Sequence, residues 1–319
     1  MNKLEKQTRF QGNLKKKKNY FEGWYFKQVN KEGQSIAFIP GVSINKKDPH
    51  SFIQMIDNIE NKSYYFRFKL EEFKYQNNPF SIQIANNYFS LEHIEININQ
   101  EIKVKADIIL GKKEQIDTSK YSPTIMGPFS YFPFMECNHG VISLNHALKG
   151  YVKINNQKIN FNKGFGYIEK DYGTSFPKDY IWLQSNTPDK KIKASIFLSI
   201  AHIPYSLLTF QGFICILKID NKQYRFATYN FGKVKKIEAR NNMHYIEIEQ
   251  GKFTLIINIK QNNIIELASP KKGRMKESVF ESLNGEAQVI LKEKGIIIFD
   301  EYFHSCGCEI TKQNQKKQI

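Results

Sequence analysis

The chain is poor in several things a familiar enzyme would show. Among 319 residues there are 2 Trp, 4 Cys and 10 Pro. Alanine is scarce beside Ile, Asn and Lys, so intrinsic helix propensity is low over most windows. No apolar run approaches the ~20 residues a membrane helix needs. Met1 to Lys18 is polar with no apolar segment, so no signal peptide is expected. The four cysteines Cys137, Cys215, Cys306 and Cys308 then read as free thiols of a reducing cytoplasm. Phosphate loops, dinucleotide fingerprints and serine nucleophile elbows are all missing. Gly164-Phe165-Gly166 lacks a third glycine and a following helix. No cofactor is therefore expected.

Negative charge is also in deficit, with 47 Lys plus Arg against 31 Asp plus Glu and a formal net charge of +16. The basic residues are spread out, dense only at Lys15 to Lys18 and Lys312 to Lys317. With no zinc finger, basic zipper or RNP-type motif, nucleic acid is not an expected partner. Attraction to an anionic membrane surface stays open, so the expected location is cytoplasmic with or without peripheral membrane contact.

Aromatic residues are abundant, 25 Phe and 17 Tyr, which suits strands and apolar pockets. Ile94, Ile96 and Ile98 alternate with polar residues, as do Ile102 to Leu110, Phe253 to Ile259 and Ala287 to Leu291. This period of two marks half-buried strands. Asn-rich turns separate them at Asn77-Asn78-Pro79, Asn155-Asn156, Asp220-Asn221, Asn241-Asn242 and Asn262-Asn263. The pattern predicts an all-β protein built as antiparallel sandwiches or barrels.

An ordered repeat runs through the chain. Trp24, Ser35-Ile36, Phe52-Ile53 and Phe66-Arg67-Phe68 are echoed by Trp182, Ser195-Ile196, Phe213-Ile214 and Tyr224-Arg225-Phe226. Four matches in one order argue for an internal duplication. The expected division is a basic tail over 1–19, β domains over 20–171 and 172–310, and a basic tail over 311–319.

The stretch GFGYIEKDYGTSFPKDYIWLQSN, Gly164 to Asn186, sets Glu169, Lys170 and Asp171 among Tyr167, Tyr172 and Trp182. A few polar groups in an aromatic frame suit a site that orients an apolar ligand. Glu169 and Asp171 are two apart and share a face if extended, and neighbouring carboxylates push each other's pKa values apart. Lys170 should face the other way. MGPFSYFPFMECNHG, Met126 to Gly140, adds Glu136 and His139 as a second acid/base candidate pair. For both pairs a buried ion-pair or strand-pairing role is the alternative. Cys137, His139 and His146 match no standard zinc spacing, so no metal is expected.

FEGWYFK (Phe21 to Lys27), IAFIPG (Ile36 to Gly41), MGPFSYFPFMECNHG and GFGYIEKDYGTSFP with WLQSN together resemble the tocopherol cyclase family, from about Tyr20 to Glu309. The resemblance implies a pair of lipocalin-like β-barrel domains. It also implies cofactor-free closure of a chromanol ring on a prenylated quinol. That reaction needs a proton for the alkene, a base near the phenol, and π faces for the cation. Asp171 or Glu169 is the expected acid, with His139 or Glu136 as relay or acceptor. Trp24, Tyr25, Tyr167, Tyr172, Trp182, Gln184 and Asn186 are the expected substrate-binding set. The competing readings are a non-catalytic carrier of a hydrophobic ligand and an isoprenoid hydratase.

Overall fold

The computed structural model describes residues 3–16, 18–132, 135–205 and 208–311. The C-terminal basic stretch from Lys312 lies outside the described residues. The chain divides into two compact units, residues 1–176 with 267–278, and residues 177–266 with 279–319. Apart from a short helix at Lys3–Thr8 and three 3-10 turns, the described elements are strands.

The first unit contains β1 (Tyr20–Val29), β2 (Ser35–Ile44), β3 (His50–Asp57), β4 (Lys62–Phe68), β5 (Phe73–Asn77) and β6 (Phe80–Ile84). It continues with β7 (Asn87–Ser90), β8 (His93–Asn99), β9 (Lys103–Leu110), β10 (Cys137–Ile154), β11 (Gln157–Asn160) and β12 (Gly164–Gly173). They form one antiparallel sheet in the order β4-β3-β2-β1-β12-β10-β9-β8-β7-β6-β5, with β11 hung on β10. The alternations expected at Ile94 to Ile98 and Val104 to Leu110 are β8 and β9, with their apolar residues buried.

This sheet curls round its own core. Trp24 on β1 lies 6.4 Å from Phe73 on β5 and 5.7 Å from Phe80 on β6, centroid to centroid. Phe26 lies 5.5 Å from Phe89 on β7. In strand order β12, β10, β9 and β8 intervene. At ~4.8 Å per strand a flat sheet could not bring those rings together.

The N-terminal residues are part of this unit rather than a tail. Phe10 is buried against Trp24, Phe73 and Tyr75. The Trp24 indole Nε1 donates to the Thr8 carbonyl at 2.8 Å. Residues 267–278 also join it: Ala268 N donates to Gln54 Oε1 at 2.9 Å, and Ser43 Oγ donates to the Gly273 carbonyl at 2.8 Å. The expected limits of 20–171 left out both segments, because neither carries a strong period of its own.

The second unit is built on β13 (Tyr180–Ser185), β14 (Ala194–Tyr205), β15 (Leu208–Ile219), β16 (Lys222–Ala227) and β17 (Lys233–Arg240). It is completed by β18 (Met243–Gln250), β19 (Phe253–Lys260), β20 (Ile265–Lys271), β21 (Arg274–Glu293) and β22 (Ile296–Ile310), of which β20 and β21 contribute residues to both units. Their order is β16-β15-β14-β13-β22-β21-β19-β18-β17, with β20 beside β21. Phe253 on β19 meets Tyr224 on β16 at 5.5 Å, so this sheet curls as well. Asn155, Asn241, Asn263 and Asp220 hold φ between 45° and 57°, the left-handed turn geometry their residue type tolerates.

Candidate active site

Strand alternation divides the charged run of β12. In the register with β1, Glu169 faces Tyr25, Lys170 faces Trp24 and Asp171 faces Gly23. Trp24 and Ile168 belong to the core, so Lys170 and Tyr172 share the core side. Tyr167, Glu169 and Asp171 take the opposite side. In the register with β10, His139 faces Asp171 and Val141 faces Glu169, which brings His139 onto that same side.

On the face away from the core, His139 Nδ1 lies 2.6 Å from Asp171 Oδ1 and His139 Nε2 lies 3.7 Å from Glu169 Oε2. Tyr167 Oη donates to Glu169 Oε2 at 2.5 Å. Tyr25 meets Tyr167 edge-on, with ring centroids 6.4 Å apart. Tyr25, Tyr167 and Glu169 are buried. Behind His139, its backbone N lies 3.3 Å from Met126 Sδ, which ties the 3-10 turn Gly127–Tyr131 to the strand start.

Electrostatics set one proton in this cluster. Burial alone would push the His139 imidazolium toward neutrality. The charges of Asp171 and Glu169 and the Asp171 hydrogen bond outweigh it and hold the pKa up at about 9. Burial, then the Glu169 charge and hydrogen bond, push the Tyr167 phenol well up. Burial and the same carboxylates keep the Cys137 thiol protonated as well. At neutral pH His139 therefore holds its proton between the two carboxylates.

Glu136 takes no part in this cluster. It stands three residues before His139, ahead of the strand, and its side chain is exposed. What it supplies is a backbone carbonyl, which accepts from Thr174 N at 2.7 Å. Gly173, at φ +152°, makes that approach possible, since a Cβ there would sit 2.2 Å from the Glu136 oxygen.

Trp24 and Tyr172 also lie elsewhere, for the same period-2 reason. They already hold a cation inside the unit: Lys170 Nζ lies 5.3 Å from the Trp24 ring and 4.8 Å from the Tyr172 ring. Lys170 pairs with Glu22 at 2.7 Å, both side chains buried. Glu22 also accepts from Tyr20 Oη at 2.5 Å and from the amides of Gln11 and Gly12. Burial raises the Glu22 carboxyl and lowers the Lys170 ammonium, and each is the chief compensation of the other.

Trp182, Gln184 and Asn186 belong to the second unit. Ile181 and Leu183 point into that unit's core, so Trp182 and Gln184 take the other face of β13, where both are buried. Asn186, just past the strand, is buried too. Trp24 and Trp182 thus face opposite sides of their sheets.

One residue of the first unit escaped sequence reasoning. Lys27 stands opposite Tyr167 in register and is buried on the site face. Its signal was present in FEGWYFK, two residues after Tyr25. His146 is buried on the core face, where its Nδ1 lies 3.0 Å from Ser143 Oγ. That face separates it from His139, so Cys137, His139 and His146 do not converge. Among the described residues, the group that does is His139, Glu169 and Asp171, whose donor atoms lie within 4.8 Å of one another. A divalent cation there would compete with the proton on His139.

The tocopherol cyclase-like family model matches residues 103–312, well over half of the chain and both strands that carry the cluster. The chain belongs to the tocopherol cyclase-like family. No curated protein matches it. Among solved structures, it is similar to CghA with Sch210972, at 8% identity and TM-score 0.55, over 92% of this chain and 88% of that one. Kievitone hydratase from Nectria haematococca matches at 10% identity and TM-score 0.53, over 92% and 89%. A putative AttH from Nitrosomonas europaea matches at 13% and 0.51, over 91% and 92%. At such identities the likeness shows the fold alone. The tocopherol cyclase-like chain thus shares its two-sheet fold with these proteins, one of them named as a hydratase. No helix of the described residues is long and apolar enough to cross a membrane.

Proposed function

We propose that this protein is a cofactor-independent cyclase that closes a chromanol ring on a prenylated quinol or a related isoprenoid lipid. The observation that carries the reading is the half-buried imidazole of His139, fixed between Asp171 at 2.6 Å and Glu169 at 3.7 Å on one face of the sheet. The family membership gives the reaction class its prior.

In this reading His139 Nε2–H gives its proton to the less substituted alkene carbon. The phenol oxygen bonds to the tertiary carbon, and Glu169 takes the phenol proton. No electrons are gained or lost. The proton then returns from Glu169 to His139 over the 3.7 Å between them, which restores the starting state. Asp171 keeps Nδ1 bonded and the ring oriented throughout. Tyr25 and Tyr167 offer π faces to positive charge at the tertiary carbon, about 0.5–2 kcal/mol each. These roles give the acid to His139, whose proton is held by the two carboxylate charges, in place of the expected Asp171 or Glu169.

We further propose that each unit is a lipocalin-like barrel and that the two arose by duplication. In support, the first and last strands of each sheet pair, β1 with β12 and β13 with β22, and a four-strand meander begins with each first strand.

The likeness to a hydratase favours one second reading, in which water rather than the phenol oxygen captures the tertiary carbon. Incubation with a prenylated quinol and mass analysis separates these. An isomer of the substrate supports cyclisation, and a product heavier by one water supports hydration. Substrate recovered bound but unchanged marks a carrier and overturns the enzymatic reading.

A further inference from the structure

The β21–β22 hairpin ends in Lys292-Glu293-Lys294-Gly295-Ile296-Ile297-Ile298. Ile296 is 71% exposed, Ile297 54% and Ile298 43%. Successive strand residues point to opposite faces, so three exposed in a row mean that both faces of the ribbon are bare at its tip. Behind the tip the same strands are anchored. Leu291 is wholly buried in the second unit's core and Phe299 packs against it. The turn itself needs no isoleucine; Gly295 at φ +83° and Lys294 at φ +50° already make it.

Lysines collar this apolar tip. Lys294 N donates to the Lys252 carbonyl at 2.8 Å, which joins the hairpin to the β18–β19 turn. Lys252 Nζ pairs with Glu293 Oε1 at 2.5 Å. That bond, with the charges of Lys222 and Lys294, holds the Glu293 carboxyl below its usual range. In the adjoining β15–β16 turn, Asp220 N donates to the Lys193 carbonyl at 2.7 Å. Lys222, Lys252 and Lys294 thus gather round the single carboxylate Glu293, with Lys292 beside it in the strand.

Apolar side chains at a tip with cations just behind them match the layering of a lipid surface, acyl boundary first and phosphates next. A protein partner fits less well, since a stable interface buries about 1,000 Å² or more and this tip is three side chains. We propose that the β21–β22 hairpin is a membrane-docking element, seating Ile296 and Ile297 at the headgroup boundary of an anionic lipid surface while the lysine collar meets the phosphates. The inference rests on the second unit alone and stands independently of the reaction catalysed.

The test is flotation with vesicles of phosphatidylcholine alone and of phosphatidylcholine mixed with phosphatidylglycerol. The full chain should float with the anionic vesicles, and less as salt is raised. Ile296→Ser with Ile297→Ser should weaken partitioning about tenfold or more. Lys292→Gln with Lys294→Gln should flatten the salt dependence. All four positions lie at the ribbon tip, and an unchanged Tm checks that the fold is kept. Failure of the parent chain to float would overturn the proposal, as would equal flotation of the serine variant. A concentration-dependent dimer in sedimentation that the serine changes abolish would also overturn it, by assigning the tip to a second copy.

Discussion

His139 Nδ1 and Asp171 Oδ1 stand 2.6 Å apart across the β10–β12 register, although 32 residues separate them in sequence. The pair fixes the imidazole ring and keeps a proton on it. Asp171→Asn should therefore lower the His139 pKa from about 9 toward the ordinary range, as read by NMR titration of the imidazole. Turnover on a prenylated quinol should fall about 10²–10⁴-fold. A histidine pKa that stays near 9 in the variant would show that Glu169 alone sustains it.

Stability should depend on pH through the same group. The folded-state pKa is raised from 6.5 to about 9, so the proton is bound more tightly in the native state. The stabilisation is complete below about 6.5 and is lost as pH climbs through about 9. Tm should decline across that window, by an amount equivalent to no more than about 3 kcal/mol. In Asp171→Asn the decline should shrink, and a parallel decline in both proteins would assign it to other groups.

Lys170→Met should be costly without touching the site face. It would leave the Glu22 carboxylate buried without its cation, about 3–5 kcal/mol by the usual cost of breaking such a pair. Adding Glu22→Gln should recover part of the loss. Chemical denaturation of the single and double variants measures this coupling directly. Additive losses in the double variant would mean that the two side chains do not stabilise one another.

Tyr167→Phe removes the donor to Glu169 in a buried setting. The cost to stability should be about 1–3 kcal/mol, since the carboxylate loses a partner that water cannot readily replace. The pH optimum should move, because Glu169 then accepts the phenol proton without the Tyr167 hydrogen bond. A pH profile that coincides with the parent's would remove Tyr167 from the proton chemistry.

The sequence carried the strands well because their signal is local. Ile94 to Ile98 and Val104 to Leu110 alternate in the chain as they do in the sheet. The division of Lys170 from Glu169 and Asp171 was legible for the same reason. Register across strands was not. Which residue of β10 stands opposite Asp171 is set by pairing with a strand far off in sequence, and nothing local marks the bulges between Val141 and Ser143 and between Ser143 and His146. Trp24 faces its unit's core whereas Trp182 faces away from its own, so the matching places expected for them in the repeat do not match in face. Glu136 looked like a partner of His139 by proximity in sequence, but an odd spacing and the end of the strand put it outside. The N-terminal segment gave no warning of its role, because Phe10 and Thr8 act through long-range contacts with Trp24, Phe73 and Tyr75 rather than through a period of their own.

The most direct test of the central claim is to run the reaction with a prenylated quinol in deuterated buffer, using the parent protein and His139→Gln. The account predicts an isomeric chromanol from the parent, carrying one deuterium on the former alkene carbon next to the ring oxygen's new bond. It predicts that His139→Gln binds the quinol but turns it over at least about a hundredfold more slowly. Full turnover in His139→Gln, or a product without deuterium at that carbon, would contradict it.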